Sequence, residues 1–450
     1  MCAIFGITGE TEAANLTYLG LHALQHRGQE GAGIVSTNGE DHFVHRRQGL
    51  VADAFSNEEL HELKGHSAIG HTRYSTAGGN TVAALQPLLS KGQLGWLSIA
   101  HNGNLVNASK IAADLEREGA IFQSTSDTEV ILHLLARSRE KDPEKALVHA
   151  LKQVEGAYSL LLMNHEKLIA IRDPFGFRPL VMGSLRGNPV FASETCAFDL
   201  IGAQYIREVE PGEMIVVPLS SPAAFRSISP FPAQPRKRCI FESIYFARPD
   251  SLAYGERVHE VRKALGRQLA IEHPTPGANV VIPVPDSGVP AAIGFAEQAG
   301  VPFDMGIIRS HYIGRTFIEP QQSIRDFGVK LKLSPVRSCV EGKDVVIVDD
   351  SLVRGTTSRK LIQHLRDAGA RKVHVRISAP PTTHSCFYGI DTPTRNELLA
   401  SRFSVEEIGR HIGADSLGYI SLEGLLKVST RTSGEGFCHA CFSGQYPTPI

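Results

Sequence analysis

Hydrophobic and polar positions alternate in short runs through the first half of the chain. Cys2–Ile7, Gly31–Ser36, Ala68–Thr72, Leu97–Ala100, Ala157–Met163 and Leu168–Arg172 each read as strands, separated by glycine-rich turns. Helical periodicity occurs over Glu129–Arg139 and Glu144–Gln153. Strands outnumber helices and follow one another in groups. The pattern predicts an α+β arrangement of stacked sheets with covering helices, rather than a doubly wound parallel sheet.

The pattern changes at Pro218–Arg238, which holds five prolines, several serines and a basic cluster at Arg236–Arg238. It predicts an interdomain connection, with one domain over 1–230 and a second over 231–450. Beyond it the periodicity alternates. Arg257–Glu272, Pro290–Ala299 and Ser358–Ala368 read as helices, whereas Asn279–Val284, Val301–Ile308, Val345–Val348 and Val373–Ser378 read as strands. Strand–helix–strand alternation predicts βαβ units, and so an α/β domain with a parallel sheet. The chain shows no internal repeat and no low-complexity tract.

A length of 450 residues is too great for one core, which agrees with two domains. With 42% hydrophobic and 21% charged residues the composition is that of a soluble globular protein. The net charge of −1 provides no global field for nucleic acid or an anionic membrane, and neither partner is expected. No apolar run approaches the ~20 residues of a membrane span. The opening MCAIFGITGE lacks a basic leader region, so the expected compartment is the cytoplasm. Seven cysteines in such a chain read as buried, catalytic or metal-binding thiols rather than a disulfide framework.

The strongest chemical signal is VVIVDDSLVRGTTS, Val345 to Ser358. A buried strand carries Asp349 and Asp350 at its C-terminal end, where ligands bind in open α/β sheets. Ser351, Gly355, Thr356 and Thr357 then form a small-residue loop ahead of a helix, which lets backbone N–H groups face an anion. Arg354 adds positive charge, and the paired carboxylates suit ribose hydroxyls and a hydrated Mg²⁺. The plainer reading is an aspartate pair capping the next helix. The segment resembles the 5-phosphoribosyl-1-pyrophosphate (PRPP) motif of the type I phosphoribosyltransferases. That resemblance makes Pro285–Gly288 a pyrophosphate loop, with Asp286 and Ser287 on PRPP and Ser287 close to the Mg²⁺ beside Asp349 and Asp350. It also makes Gly314–Leu333, including Arg315 and Lys330, a loop that closes over PRPP. Taken alone, PDSG is also an ordinary turn and helix cap, and the basic stretch an ordinary surface loop.

Cys2 follows the initiator methionine. Removal of Met1 would leave a thiol beside a free α-amino group, and an N-terminal nucleophile carries its base with it. Four further segments, HRGQEGAG from His26, GHTRYSTAG from Gly70, AHNGNL from Ala100 and SDTEV from Ser126, join Cys2 in resembling the class II glutamine amidotransferases. The resemblance implies an N-terminal-nucleophile hydrolase fold, a sandwich of two sheets. It implies Cys2 as nucleophile, Arg73 on the glutamine carboxylate, Asp127 on its ammonium, and Asn102 with the N–H of Gly103 as oxyanion hole. Arg27 is expected to organise this pocket.

A class II glutaminase fused to a PRPP site implies transfer of ammonia from glutamine to PRPP. The products would be 5-phosphoribosylamine, glutamate and pyrophosphate, at the first committed step of de novo purine synthesis. Cys239, Cys386, Cys438 and Cys441 match the ligands of a 4Fe–4S cluster in one branch of such enzymes, although four thiols also suit structural zinc. Purine nucleotides as feedback inhibitors and a homo-oligomer are further implications. The rival readings are another class II amidotransferase, such as a glucosamine-phosphate or asparagine synthase, and a non-catalytic PRPP-binding regulator.

Overall fold

The computed structural model describes the whole chain except residues 75–80, 311–332 and 431–435. In the first half, a seven-stranded sheet runs from edge to edge through Gln204–Glu208, Val181–Leu185, Asn188–Ala192, Ala3–Ile7, Ser67–Arg73, Gly31–Thr37 and His42–Gln48. A six-stranded sheet runs through Arg226–Ile228, Met214–Pro218, Lys167–Arg172, Gly156–Met163, Gly95–Leu105 and Leu88–Gly92. Neighbouring strands are antiparallel in both.

Period-two patterning sorts the side chains between layers. Along the first strand, Ala3, Phe5 and Ile7 pack outward under the helix Ala13–Ala23, whereas Ile4 faces the second sheet. On the facing strand Leu161 and Met163 meet Ile4, while Tyr158, Leu160 and Leu162 turn toward the helices Asp127–Ala136 and Pro143–Leu151. Each buried leucine contributes about 1.5–3 kcal/mol relative to exposure. Gly6 lets the sheets approach, because a Cβ there would lie 2.9 Å from Leu161 Cδ1.

The connection is shorter than its proline content suggests. Arg226–Ile228 pairs with Met214–Pro218, so the sandwich extends into the proline-rich stretch, and Pro218 is tolerated as the last residue of its strand. After it, Arg238–Cys239 pairs in parallel with Phe437–Cys438, which ties the start of the second half to the tail.

The second half is built on a parallel sheet ordered Val280–Pro283, Asp344–Asp349, Lys372–Ile377 and Ser416–Tyr419. The apolar run Val345–Val348 lies at its centre, buried on both faces. The expected strand Val301–Ile308 does not form. Phe303 makes one isolated bridge to Val281, and Ile307–Arg309 instead pairs antiparallel with Leu333–Pro335 as a separate two-stranded ribbon. The run lies along the open edge of Val280–Pro283 but leaves it after that single bridge. No described helix is long and apolar enough to cross a membrane.

Candidate active sites

Cys2 lies at the entry to the first strand, 8% exposed, with its thiol 3.5 Å from the Tyr74 carbonyl. Pairing of Ala3 with Thr72 brings the end of the Ser67–Arg73 strand alongside, so Arg73 is buried one residue further on. Asn102 and Gly103 come from the facing sheet, on Gly95–Leu105. The two sheets are linked here by Ser193, whose hydroxyl accepts the N–H of Ile4 at 3.0 Å and lies 3.5 Å from Asn102 Nδ2. Asn102 Oδ1 is buried and has no protein partner among the described residues. Gly103 admits no side chain, because a Cβ would stand 2.0 Å from the Ala157 carbonyl.

Asp127 opens the helix Asp127–Ala136, and its Oδ2 accepts the N–H of Leu105 at 2.9 Å. Burial pushes this carboxyl up, but His101 and the surrounding hydrogen bonds outweigh it and hold the group below the usual carboxylate range. His101 itself is fixed by Thr128 Oγ1 at 3.0 Å and the Ala157 carbonyl at 3.2 Å.

Arg27 lies beside Cys2, in the interior of the protein. Its guanidinium is fully buried and bonds Glu194, and Glu242 at 2.7 and 3.0 Å, while its Nε donates to the Cys2 carbonyl at 3.3 Å. Glu242 belongs to the second half and also binds Arg178. Arg27 is thus a buried joint beneath Cys2, and its terminal N–H groups face these carboxylates rather than solvent. Burial would raise both carboxyls, yet His26 and Arg27 hold Glu194 well below the ordinary value, and Arg27 and Arg178 hold Glu242 below it. Only the two salt-bridging halves together make this network, which a linear sequence gives no means of pairing.

Asp349 and Asp350 stand at the C-terminal end of the central parallel strand. The following loop bends through Gly355, at φ +70°, into the helix Thr356–Asp367. Asp349 to Ser358 line a cavity of about 530 Å³ that faces the helix N-terminus. Burial, and then the charge of Asp350, push the Asp349 carboxyl well above its usual range. Two adjacent carboxylates at a strand end, of which the first is raised by the charge of the second, fit a divalent cation. Ser351 Oγ donates to Asp350 at 2.6 Å. Arg354 reaches across to Glu397 at 3.0 Å.

The Pro285–Gly288 turn adjoins this end of the sheet. The Val284 N–H donates to the Val348 carbonyl at 2.9 Å, and a Cβ on Gly288 would lie 2.5 Å from that same oxygen. Ser287 is half-buried in the turn, whereas Asp286 is exposed and paired with Arg309 at 2.6 Å. Arg315 and Lys330 lie outside the described residues.

Cys239, Cys386, Cys438 and Cys441 line the other end of the same cavity, beside Phe177 and Tyr388. Cys239 and Cys438 are paired neighbours in register. Burial, then the proximity of the other three thiols, pushes Cys441 well above the ordinary thiol range. Among the described residues, no three His, Cys, Asp or Glu side chains form a ready-made metal cage. Cys196, by contrast, is isolated in the first half and raised by burial to about 12.

A family model described as a glutamine amidotransferase domain matches residues 71–199, and one described as a phosphoribosyl transferase domain matches 259–382. The amidophosphoribosyltransferase of Bacillus subtilis is 52% identical over 456 residues, covering 100% of this chain and 94% of its own length. The chain belongs to the amidophosphoribosyltransferase family. The amidophosphoribosyltransferase of Methanocaldococcus jannaschii is 47% identical, over 100% of this chain and 98% of its own. The solved glutamine PRPP amidotransferase from B. subtilis, complexed with ADP and GMP, superposes with a TM-score of 0.94 at 51% identity, covering 100% of this chain and 98% of that one. A second structure, of the allosteric regulatory enzyme of purine biosynthesis, gives 0.95 at 51% identity, covering 100% and 97%. Like other amidophosphoribosyltransferases, the chain is an enzyme that couples a glutamine amidotransferase domain to a phosphoribosyltransferase domain.

Proposed function

We propose that the chain hydrolyses glutamine at Cys2 and passes the ammonia to PRPP, yielding 5-phosphoribosylamine, glutamate and pyrophosphate. The observation that carries this reading is the joining of both sites in one chain that matches amidophosphoribosyltransferases from end to end. The Cys2 thiolate attacks the glutamine carboxamide, ammonia leaves, and water cleaves the resulting thioester. Burial lowers the α-amino group of Met1 to about 5. An amine freed on Cys2 lies beside the thiol and can take its proton. Arg73 and Asp127 hold the amino-acid end of glutamine, while Asn102 and the Gly103 N–H receive the developing oxyanion.

In the second half, Asp349 and Asp350 hold the ribose hydroxyls, and the Ser351–Thr357 backbone and Arg354 hold the phosphate. Asp286 and Ser287 face the pyrophosphate, and Arg315 and Lys330 close over it. Mg²⁺, held by Asp349, Asp350 and Ser287, would supply charge to the departing pyrophosphate. The four converging thiols have the chemistry and number for a 4Fe–4S cluster with a structural role. Purine nucleotides as inhibitors are supported by the ADP and GMP bound to the B. subtilis relative. A cytoplasmic homo-oligomer completes the reading. Pyrophosphate release from PRPP, Mg²⁺ and glutamine, absent when any one is withheld, tests the reaction. Iron and acid-labile sulfide in anaerobically purified protein test the cluster. Stoichiometric zinc in colourless, active protein would exclude it.

A further inference from the structure

Arg178 is fully buried, yet its hydrogen-bonding capacity is only partly used. Its Nη2 meets Glu242 Oε1 and the Met1 sulfur, while Nε and Nη1 have no partner among the described residues. Three N–H groups of a permanent cation are thus unsatisfied inside the protein, a costly arrangement unless something accepts them. Arg178 follows Phe177, whose carbonyl accepts the Cys239 N–H at 3.1 Å and whose ring stacks on Tyr388 at 4.2 Å. Phe177 lines the cavity that the four cysteines share, so Arg178 follows directly on a residue of its wall. The same guanidinium grips Glu242. Glu242 grips Arg27 at 2.7 Å, and Arg27 donates to the carbonyl of Cys2.

We infer that Arg178 is the counter-cation of the metal centre held by the four cysteines, and that through Glu242 and Arg27 it makes the position of Cys2 depend on whether that centre is assembled. The inference rests on the cluster reading given above. Four thiolates around a buried iron–sulfur core carry net negative charge, which a low-dielectric interior tolerates only beside compensating charge and donors. With the centre in place, Arg178 has partners on both sides and holds Glu242 in one position. With the centre lost, the guanidinium is free to swing wholly onto Glu242, and the Arg27 donor to Cys2 moves with it. Arg178 is therefore a positioning residue; it touches neither glutamine nor PRPP.

The test uses full-length protein prepared anaerobically as wild type, Arg178→Gln and Arg178→Lys, with iron and sulfide measured first. Wild-type protein lacking both removes the cluster reading itself. With wild type loaded, Arg178→Gln should lower the ratio of reduced to oxidised cluster at a fixed potential by about tenfold, 59 mV for a one-electron couple, and Arg178→Lys by less. Labelling of Cys2 by a glutamine-mimicking chloroketone should slow about tenfold when wild type is stripped with an iron chelator. In Arg178→Gln it should be slow before stripping and change little after it. A loaded Arg178→Gln protein with the wild-type potential and the wild-type labelling response overturns the inference. If Arg178→Gln fails to fold, Arg178→Lys decides. A lysine cannot bridge both sides as a planar fork does, so its labelling response to stripping should be weakened, and an undiminished response also overturns the inference.

Discussion

In the first half, the candidate nucleophile and its companions are assembled inside a sandwich. Cys2, Arg73 and Asn102 are 8%, 3% and 0% exposed, and each arrives from a different strand or strand end. In the second half, Asp349 through Ser358 form one continuous stretch around an open cavity at the C-terminal end of a sheet's inner strand. The contrast follows the two substrates. A neutral carboxamide needs a thiol, a base and an oxyanion hole held at short range, which favours a rigid and dry enclosure. A highly anionic sugar pyrophosphate needs a cation and backbone donors, and a loop at a helix N-terminus provides the donors while leaving room to enter.

The most severe way to split the two halves is Cys2→Ala. It should reduce glutamine-dependent product formation by at least about a thousandfold, some 4 kcal/mol, while ammonium salts at alkaline pH still drive pyrophosphate release from PRPP. Comparable losses with both donors would mean that Cys2 serves the fold. The converse variants, Asp349→Asn and Asp350→Asn, should cut PRPP turnover with either donor on the order of a hundredfold, about 2.7 kcal/mol, and spare basal glutamine hydrolysis. Glutamine hydrolysis that falls in step with PRPP turnover would erase the distinction.

A smaller effect probes the place where the halves touch. Gly389, at φ +100°, presses on Gly103, and an added Cβ would lie 3.1 Å from its carbonyl. Asn104 Nδ2 donates to the Phe387 carbonyl at 3.0 Å beside it. Gly389→Ala should therefore slow glutamine hydrolysis several-fold through kcat, with KM for PRPP little changed, because it displaces the oxyanion strand. A selective rise in the KM for PRPP would locate the strain in the other half.

The smallest effect concerns pH. Burial, then Arg73, lowers His71 to about 3, and its ring bonds the His101 carbonyl at 3.1 Å. A histidine kept neutral when folded contributes full stability above its unfolded value near 6.5, and loses it as pH falls toward 3. The slope for one such group is at most about 1.4 kcal/mol per pH unit. Urea midpoints at pH 7.5 and 5 should converge for His71→Asn relative to wild type; an unchanged difference would assign acid lability to other groups.

Legibility in the sequence follows the same contrast. The aspartate pair and its loop are contiguous, so strand, acids, glycine and helix read in order from Val345 to Ser358. The glutamine site is scattered over more than a hundred residues, and only Cys2, Arg73, Asn102 and Asp127 together suggest it. What could not be read is long-range pairing. Ser193 joins two sheets through a hydroxyl, and Glu242 joins two halves through buried arginines, yet neither carries a local signature. Val301–Ile308 was misleading for the opposite reason: its local pattern suits a strand, and only the absence of continued pairing denies it.

The burial of Met1 has a consequence for the order of events during synthesis. Its side chain is 1% exposed, packed with Cys239 and Ile390 between Arg27 and Arg178. An aminopeptidase cannot reach a bond so enclosed, so any removal of Met1 precedes the closing of this enclosure. Ile390 must leave the ribosome before the enclosure can close, which takes roughly 20–80 s at about 5–20 residues per second. That interval is the time allowed for trimming. A chain that folds untrimmed keeps the α-amino group of Cys2 in amide linkage to methionine, with no free amine beside the thiol.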